Sequence, residues 1–289
     1  MPVQLNPKSV FIGVHLWFKN NSLRAVSVVL GALLVLASLA CRSPRNSLAE
    51  WMPSPNFNAR RPQLIVIHHT AGKSFDYSLK QLKTHNDGGP VSAHYLIGRD
   101  GRMAQLVSDD DRAWHAGTGT WGPYRDINSI SIGIELDNNG SEPFSSPQID
   151  ALLILLEDLT SRFRIPRTQV VGHADVEPVL KADPSGFFPW KRLAEQGFGL
   201  WPDEQLQEAP AGFDPFQAMV LMGYSLKDRG ATIRAFRLHY RGDKETILDE
   251  KDLRILFNLQ GKIYRNASAG SPLATVQKGG MSPAKSADR

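Results

Sequence analysis

Eight histidines and a single cysteine stand in a chain of 289 residues. A metal site here has to be built from His, Asp and Glu, and neither a disulfide framework nor a Cys-rich zinc module is available. His68 closes the apolar run 64–68, and His173 follows Val170-Val171-Gly172. A histidine at the end of a buried strand has a rigid backbone and a side chain able to face a cleft. Ten residues after His173, Lys181-Ala182-Asp183-Pro184 puts a cation and a carboxylate in one loop. Glu135 sits mid-run in Gly133-Ile134-Glu135-Leu136, where a carboxylate among apolar neighbours must be paired, bound or functional. A catalytic zinc takes three protein ligands and keeps an open position, which these residue types can supply. Taken singly, a strand-end histidine is more often structural, so both readings stand at this point.

The elements that must position these residues are partly legible. Residues 64–68 read as a buried strand. Residues 92–97 and 103–107 flank Gly98-Arg99-Asp100-Gly101 and read as a hairpin. Residues 130–136 are strand-like. A helix starts at Ser146 with Pro147 in its first turn. Its apolar positions Ile149, Leu152, Leu153, Leu156, Leu159 and Phe163 keep a 3.6-residue period until Pro166. Strands and helices mix without strict alternation, which predicts an α/β fold with a mixed central β-sheet flanked by helices. Residues 206–214 read as a linker. Helical patterns at 215–222, at 231–240 and from Asp249 onward then predict a small C-terminal three-helix module. Residues 51–60 look irregular, and the end of the chain is small, polar and proline-containing.

The N-terminus reads as a targeting segment. Lys8, Lys19 and Arg24 precede residues 25–40, which carry no charge. Sixteen apolar residues are short for a membrane span and sufficient for a signal h-region. Ser38-Leu39-Ala40-Cys41 closes the stretch and resembles a bacterial lipoprotein signal, with Cys41 lipidated; an uncleaved anchor is the alternative. Arg42, where Asp would favour inner-membrane retention, favours the outer membrane of a Gram-negative cell. The formal net charge is +4, and residues 1–40 hold three of the cations and no acid, leaving +1 for the rest. That balance, without a basic run interleaved with aromatics, excludes nucleic acid as the expected partner. A composition of 42% hydrophobic and 21% charged residues is that of a folded globular chain.

Five segments occur in a fixed order. They are Ile65-Val66-Ile67-His68-His69-Thr70-Ala71, Ser92-Ala93-His94-Tyr95-Leu96-Ile97, Ala113-Trp114-His115-Ala116-Gly117, Ser131-Ile132-Gly133-Ile134-Glu135-Leu136, and Gly172-His173 with Lys181-Ala182-Asp183-Pro184. On these, residues 64–189 resemble the N-acetylmuramoyl-L-alanine amidases of the amidase-2 family. The resemblance implies a peptidoglycan-recognition-like fold, Zn²⁺ bound by His68, His173 and Asp183, Glu135 as catalytic acid/base and Lys181 as transition-state stabiliser. It makes His94, His115 and Trp114 candidates for the substrate groove, with structural bracing the alternative for the two histidines. Trp121 is a stacking platform or core. His69, one residue from a ligand, points away from it if the strand alternates, and His85 and His239 read as structural.

The C-terminal block resembles a peptidoglycan-binding three-helix module on Leu221-Met222-Gly223-Tyr224 and residues 231–237; the alternative is a block that only packs. The expected organisation is a signal peptide 1–40, a linker 41–60, a zinc amidase domain 61–205, a linker 206–214, the helical module 215–264 and a disordered tail 265–289. The implied function is zinc-dependent hydrolysis of the amide between N-acetylmuramic acid and L-alanine in peptidoglycan or muropeptides. The protein would be a monomeric outer-membrane lipoprotein facing the periplasm, held to the membrane through Cys41. One alternative is a non-catalytic peptidoglycan-binding lipoprotein on the same fold. A cytoplasmic recycling amidase would lack the export signal.

Overall fold

In chain order the strands and helices are β1 (Glu50–Trp51), β2 (Phe57–Ala59), β3 (Leu64–His69), α1 (Phe75–Lys83), β4 (His85–Asn86), β5 (Gly89–Pro90), β6 (Tyr95–Ile97), β7 (Met103–Gln105), β8 (Asp111–Ala113), α2 (Ile127–Ile130), β9 (Ser131–Leu136), α3 (Ser146–Phe163), β10 (Val170–Gly172), α4 (His173–Val176), α5 (Trp190–Glu195), α6 (Pro215–Met222), α7 (Arg229–Arg241) and α8 (Glu250–Ala269). The computed structural model describes residues 46–59, 62–86 and 89–269, which share one compact unit. The apolar stretch before Cys41, Cys41 itself and the residues after 269 lie outside the described residues.

Six strands form one mixed sheet in the order β1-β7-β6-β9-β3-β10. Only the β6–β7 hairpin is antiparallel; the remaining pairs run parallel. β3 lies between β9 and the edge strand β10, and Leu64, Ile65, Val66 and Ile67 are all fully buried. An interior parallel strand covered on both faces needs such an unbroken apolar run.

Alternation along β3 separates the two faces. Ile65 and Ile67 join Ile132, Ile134 and Leu136 under α3. The inward stripe of α3 is Ile149, Leu152, Leu155, Leu156 and Leu159, each fully buried. Ser145 caps its start by accepting from the Gln148 amide, and Arg164 ends it in the left-handed region at φ 54. Truncating any one of these leucines to Ala should cost about 2–5 kcal/mol.

Leu64 and Val66 face the other way, into a cluster with Val171, Ala174, Met219, Phe236, Leu256 and Leu259. Helices α6, α7 and α8 therefore form the layer that covers the second face. Their core merges with the core of the sheet rather than closing on itself behind a linker. Without them, the Leu64–Val66 side of the sheet would be open to water.

Two boundary expectations change. Residues 46–59 are not a free linker: β1 extends the sheet beside β7, β2 pairs with β8, and the Asn46 amide donates to Asp158 Oδ2 at 2.9 Å and to the Tyr95 hydroxyl at 3.3 Å. α8 runs to Ala269, past residue 265 where the tail was expected to begin.

Candidate metal centre and active-site cleft

β3 and β9 pair in parallel register, with His68 opposite Glu135. Register partners in a parallel ladder point to the same face, so both side chains emerge together at the end of the sheet. β10, beside β3, ends at Gly172, and His173 opens α4. The loop that follows returns Asp183 to the same place, where its carbonyl accepts from the Ala174 amide at 2.8 Å. The Asp183–Pro184 peptide bond is cis.

Three ligand atoms converge. His68 Nδ1 and His173 Nδ1 are 2.9 Å apart, and Asp183 Oδ2 lies 3.1 Å from His173 Nδ1 and 3.3 Å from His68 Nδ1. Tetrahedral ligands about 2.0–2.1 Å from a zinc ion are about 3.3 Å from one another. The triangle matches that spacing, and among the described residues this is the set able to hold a metal ion.

The hydrogen bonds around His68 set its tautomer. The Ser131 hydroxyl donates its single hydrogen to the Ile127 carbonyl at 2.6 Å. His115 Nε2, 3.2 Å away, must then donate to Ser131 Oγ. That leaves His115 Nδ1 as an acceptor for His68 Nε2–H at 3.0 Å, and His68 Nδ1 bare toward the cluster. A ligand histidine held through its other nitrogen is the usual arrangement in metal sites. His115 is itself fixed, because Asn128 Oδ1 accepts from the His115 and Ala116 amides at 2.9 and 2.8 Å. Gly133 makes room for it: a Cβ there would run into the His115 ring.

Burial and neighbouring charge shift the titrating groups. Burial pushes the Glu135 carboxyl up to about 7; Asp183 reinforces the shift, while His68 and Lys181 oppose it. Burial and the neighbouring His68 lower His173 to about 4, against the pull of Asp183. Burial works to raise Asp183, but His173 and His68 outweigh it and hold this carboxylate far below its usual range. The centre thus offers a neutral His173 imidazole and an ionised aspartate at neutral pH, protonation states that metal ligation needs. Among the described residues Glu135 Oε2 has no hydrogen-bond partner.

The cleft around the triangle has a volume of about 510 Å³ and includes Glu135, Trp114, His115 and Lys181 in its walls. His94 is a correction. It is fully buried, accepts from the Gly133 amide at 3.0 Å and meets the Asp111 carbonyl at 3.0 Å. Both ring nitrogens are taken up by backbone, so it braces β9 from below the cleft. His69 Nδ1 accepts from the Ser185 amide at 3.1 Å and supports the Asp183 loop. Trp121 packs on Tyr224 in the shared core. His239 is buried, stacked on Trp190 at 3.8 Å and bonded to Asp175. The side chain of His85 lies outside the described residues. Sequence reasoning missed Asn128 and Lys244, which also lines the cleft, and gave Ser131 no role although it opens one of the five ordered segments.

These features define an α/β protein whose cleft gathers a His-His-Asp set able to hold a metal ion. The amidase-2 family, described as N-acetylmuramoyl-L-alanine amidase, matches residues 58–186. AmiD of Escherichia coli K12, an N-acetylmuramoyl-L-alanine amidase, is 36% identical over 214 residues, covering 63% of this chain and 75% of AmiD. The E. coli AmiD structure in complex with the substrate anhydro-N-acetylmuramic acid-L-Ala-D-γ-Glu-L-Lys superposes with a TM-score of 0.63 at 32% identity, over 76% of this chain and 93% of that one. AmpDh3 of Pseudomonas aeruginosa gives 0.64 at 30%, over 76% and 99%. The chain belongs to the N-acetylmuramoyl-L-alanine amidase family.

Proposed function

We propose that this protein is a zinc-dependent amidase that cuts the bond between N-acetylmuramic acid and L-alanine in peptidoglycan or its released muropeptides, acting as a monomer. The reading is carried by the tetrahedral spacing of His68 Nδ1, His173 Nδ1 and Asp183 Oδ2 beside a glutamate oxygen that has no hydrogen-bond partner among the described residues. Zn²⁺ held by those three atoms would supply a Lewis acid for the amide carbonyl and for water.

The other steps fall to the chain's own residues. Glu135 Oε2 takes the proton of the attacking water as its oxygen bonds to the carbonyl carbon. The same carboxyl returns that proton to the nitrogen as the C–N bond breaks, and the remaining hydroxyl proton also ends on the amine, leaving a carboxylate on the muramic acid and an ammonium on L-alanine. Lys181, exposed at the cleft wall, brings a cation to the carbonyl oxygen as it becomes anionic. His115 keeps His68 oriented, and Trp114 offers an apolar face to the substrate.

The substrate class is that of the E. coli neighbour, a muramic acid joined through L-alanine to a γ-linked D-glutamate. The charge-free stretch ending at Cys41, followed by Arg42, supports a lipid anchor at Cys41 and a periplasm-facing outer-membrane location. The test is product analysis by mass spectrometry on a defined muramoyl peptide, with zinc content measured on the same sample. A free peptide with N-terminal L-alanine is expected; an intact substrate after incubation with zinc-loaded protein refutes the reading.

A further inference from the structure

The α7–α8 connection brings Lys244 to the wall of the same cleft as the metal triangle, although it belongs to the helical block and lies 61 residues beyond Asp183. Its backbone is held on two sides. Asp243 accepts two hydrogen bonds from the buried Arg237, at 2.7 and 2.8 Å, and Arg237 is tied in turn to Asp252 at 2.5 Å. Gly242, at φ 72, presses its carbonyl against Gly186, three residues past Asp183, so closely that a Cβ on Gly186 would collide with it. The loop bearing Lys244 and the loop bearing the metal carboxylate are therefore in direct backbone contact.

The Lys244 side chain is exposed, and no carboxylate of the described residues forms an ion pair with it. The cleft walls contain two lysines, Lys181 and Lys244. Lys181 shares its loop with Asp183 and is placed for the carbonyl oxygen; Lys244 has no role in the chemistry described above.

A peptide that continues through a γ-linked glutamate keeps that residue's α-carboxyl free and ionised. That charge sits one residue beyond L-alanine, within about 3.5 Å of extended chain per residue from the bond to be cut. We infer that Lys244 is a specificity-determining residue whose ammonium receives this free α-carboxylate, so that the helical block supplies part of the substrate site. The inference rests on the amidase reading for its substrate.

The experiment compares two muramoyl peptides, N-acetylmuramoyl-L-Ala-D-γ-Glu-L-Lys and its counterpart with the glutamate α-carboxyl converted to an amide. KM and kcat are measured with the zinc-loaded full chain and with Lys244→Gln and Lys244→Arg. Dissociation constants for both peptides are measured by calorimetry on zinc-loaded Glu135→Gln, with and without Lys244→Gln. The parent should favour the acid over the amide by roughly fivefold, the equivalent of about 1 kcal/mol for a solvent-accessible ion pair. Lys244→Gln should bring that ratio to one through KM rather than kcat, and Lys244→Arg should restore it. A ratio unchanged by Lys244→Gln, or no preference in the parent, overturns the inference while turnover still supports the amidase. If neither peptide is hydrolysed, the amidase reading fails, and the calorimetric ratio alone decides on Lys244: equal affinities in the two backgrounds overturn it, and a loss confined to the acid upholds it.

Discussion

His68 and Glu135 occupy one rung of the parallel ladder between β3 and β9. A candidate metal ligand and the acid beside it are thus fixed by backbone hydrogen bonds at the sheet's end, not by mobile loops. His173 is set by the neighbouring β10; only Asp183 and Lys181 arrive on a loop. That loop is pinned by the Ala174–Asp183 and Ser185–His69 hydrogen bonds. Preorganisation of this kind is what proton transfer and oxyanion stabilisation need.

Glu135→Gln should keep stoichiometric zinc and lower kcat by roughly 10²–10⁴-fold, the range for loss of a positioned proton-transfer group. His173→Ala should lose both metal and turnover, and Lys181→Ala should keep metal and lose kcat. Zinc content and single-substrate kinetics on a muramoyl peptide check all three. Loss of zinc in the Glu135 variant would make that residue a ligand.

The metal-free protein should show the Glu135 shift in its stability. Its folded pKa of about 7 lies above the ordinary 4.5 because burial penalises the carboxylate. The stabilising contribution is then complete below about pH 4.5 and lost as pH rises through 7. Glu135→Gln removes the loss, so at pH 8 the chelated variant should be more stable than its parent by about 3 kcal/mol, with no difference at pH 4. For His173, lowered from 6.5 to about 4, the sign is opposite: the metal-free fold loses stability as pH falls from 6.5 toward 4. Urea unfolding with chelator across that range measures both effects; parallel parent and Glu135→Gln curves would mean an unshifted carboxyl.

Removing the brace on His68 should weaken zinc binding before it affects folding. His115→Ala leaves His68 Nε2–H without its acceptor, and a 10–100-fold loss of zinc affinity is expected. Gly133→Ala should act similarly, because its Cβ displaces the same ring. Competition with a chromophoric chelator gives the affinities. Parent-like affinity in both variants would reduce His115 to a bystander.

The helical layer should prove inseparable from the sheet. Tyr224 and His239, from the C-terminal block, give Asp175 hydrogen bonds of 2.6 and 2.7 Å, and the Gly172 amide gives a third at 2.7 Å. Tyr224→Phe leaves one oxygen of this buried carboxylate without its donor and should cost about 1.5–3 kcal/mol. A chain ended at residue 205 would expose Leu64, Val66 and Val171 and should be insoluble or unfolded. A soluble, cooperatively melting truncation would show that the sheet closes its own core.

Cys41→Ser tests the anchor. The variant should leave the membrane fraction or accumulate as unprocessed precursor. Unchanged processing and fractionation would argue against lipidation at that residue.

Local periodicity and ordered motifs were enough to read the hairpin, the strands ending in His68 and bearing Glu135, helix α3 with its apolar stripe, and the identities of the three candidate ligands. These are properties of short segments: β-branched runs, a 3.6-residue stripe, a Pro-flanked helix. What the tertiary structure decided is which of them meet. His94 stands in a segment as recognisable as that of His115, yet the sheet buries the first under β9 and turns the second onto His68. That difference depends on strand order and on the missing Cβ of Gly133, neither visible in a window of sequence. The C-terminal helices read as a separate module because their apolar positions could serve a core of their own. Only the packed chain shows that their shared face covers Leu64 and Val66 and carries Lys244 to the cleft, since contacts across 60 to 190 residues leave no local periodic trace.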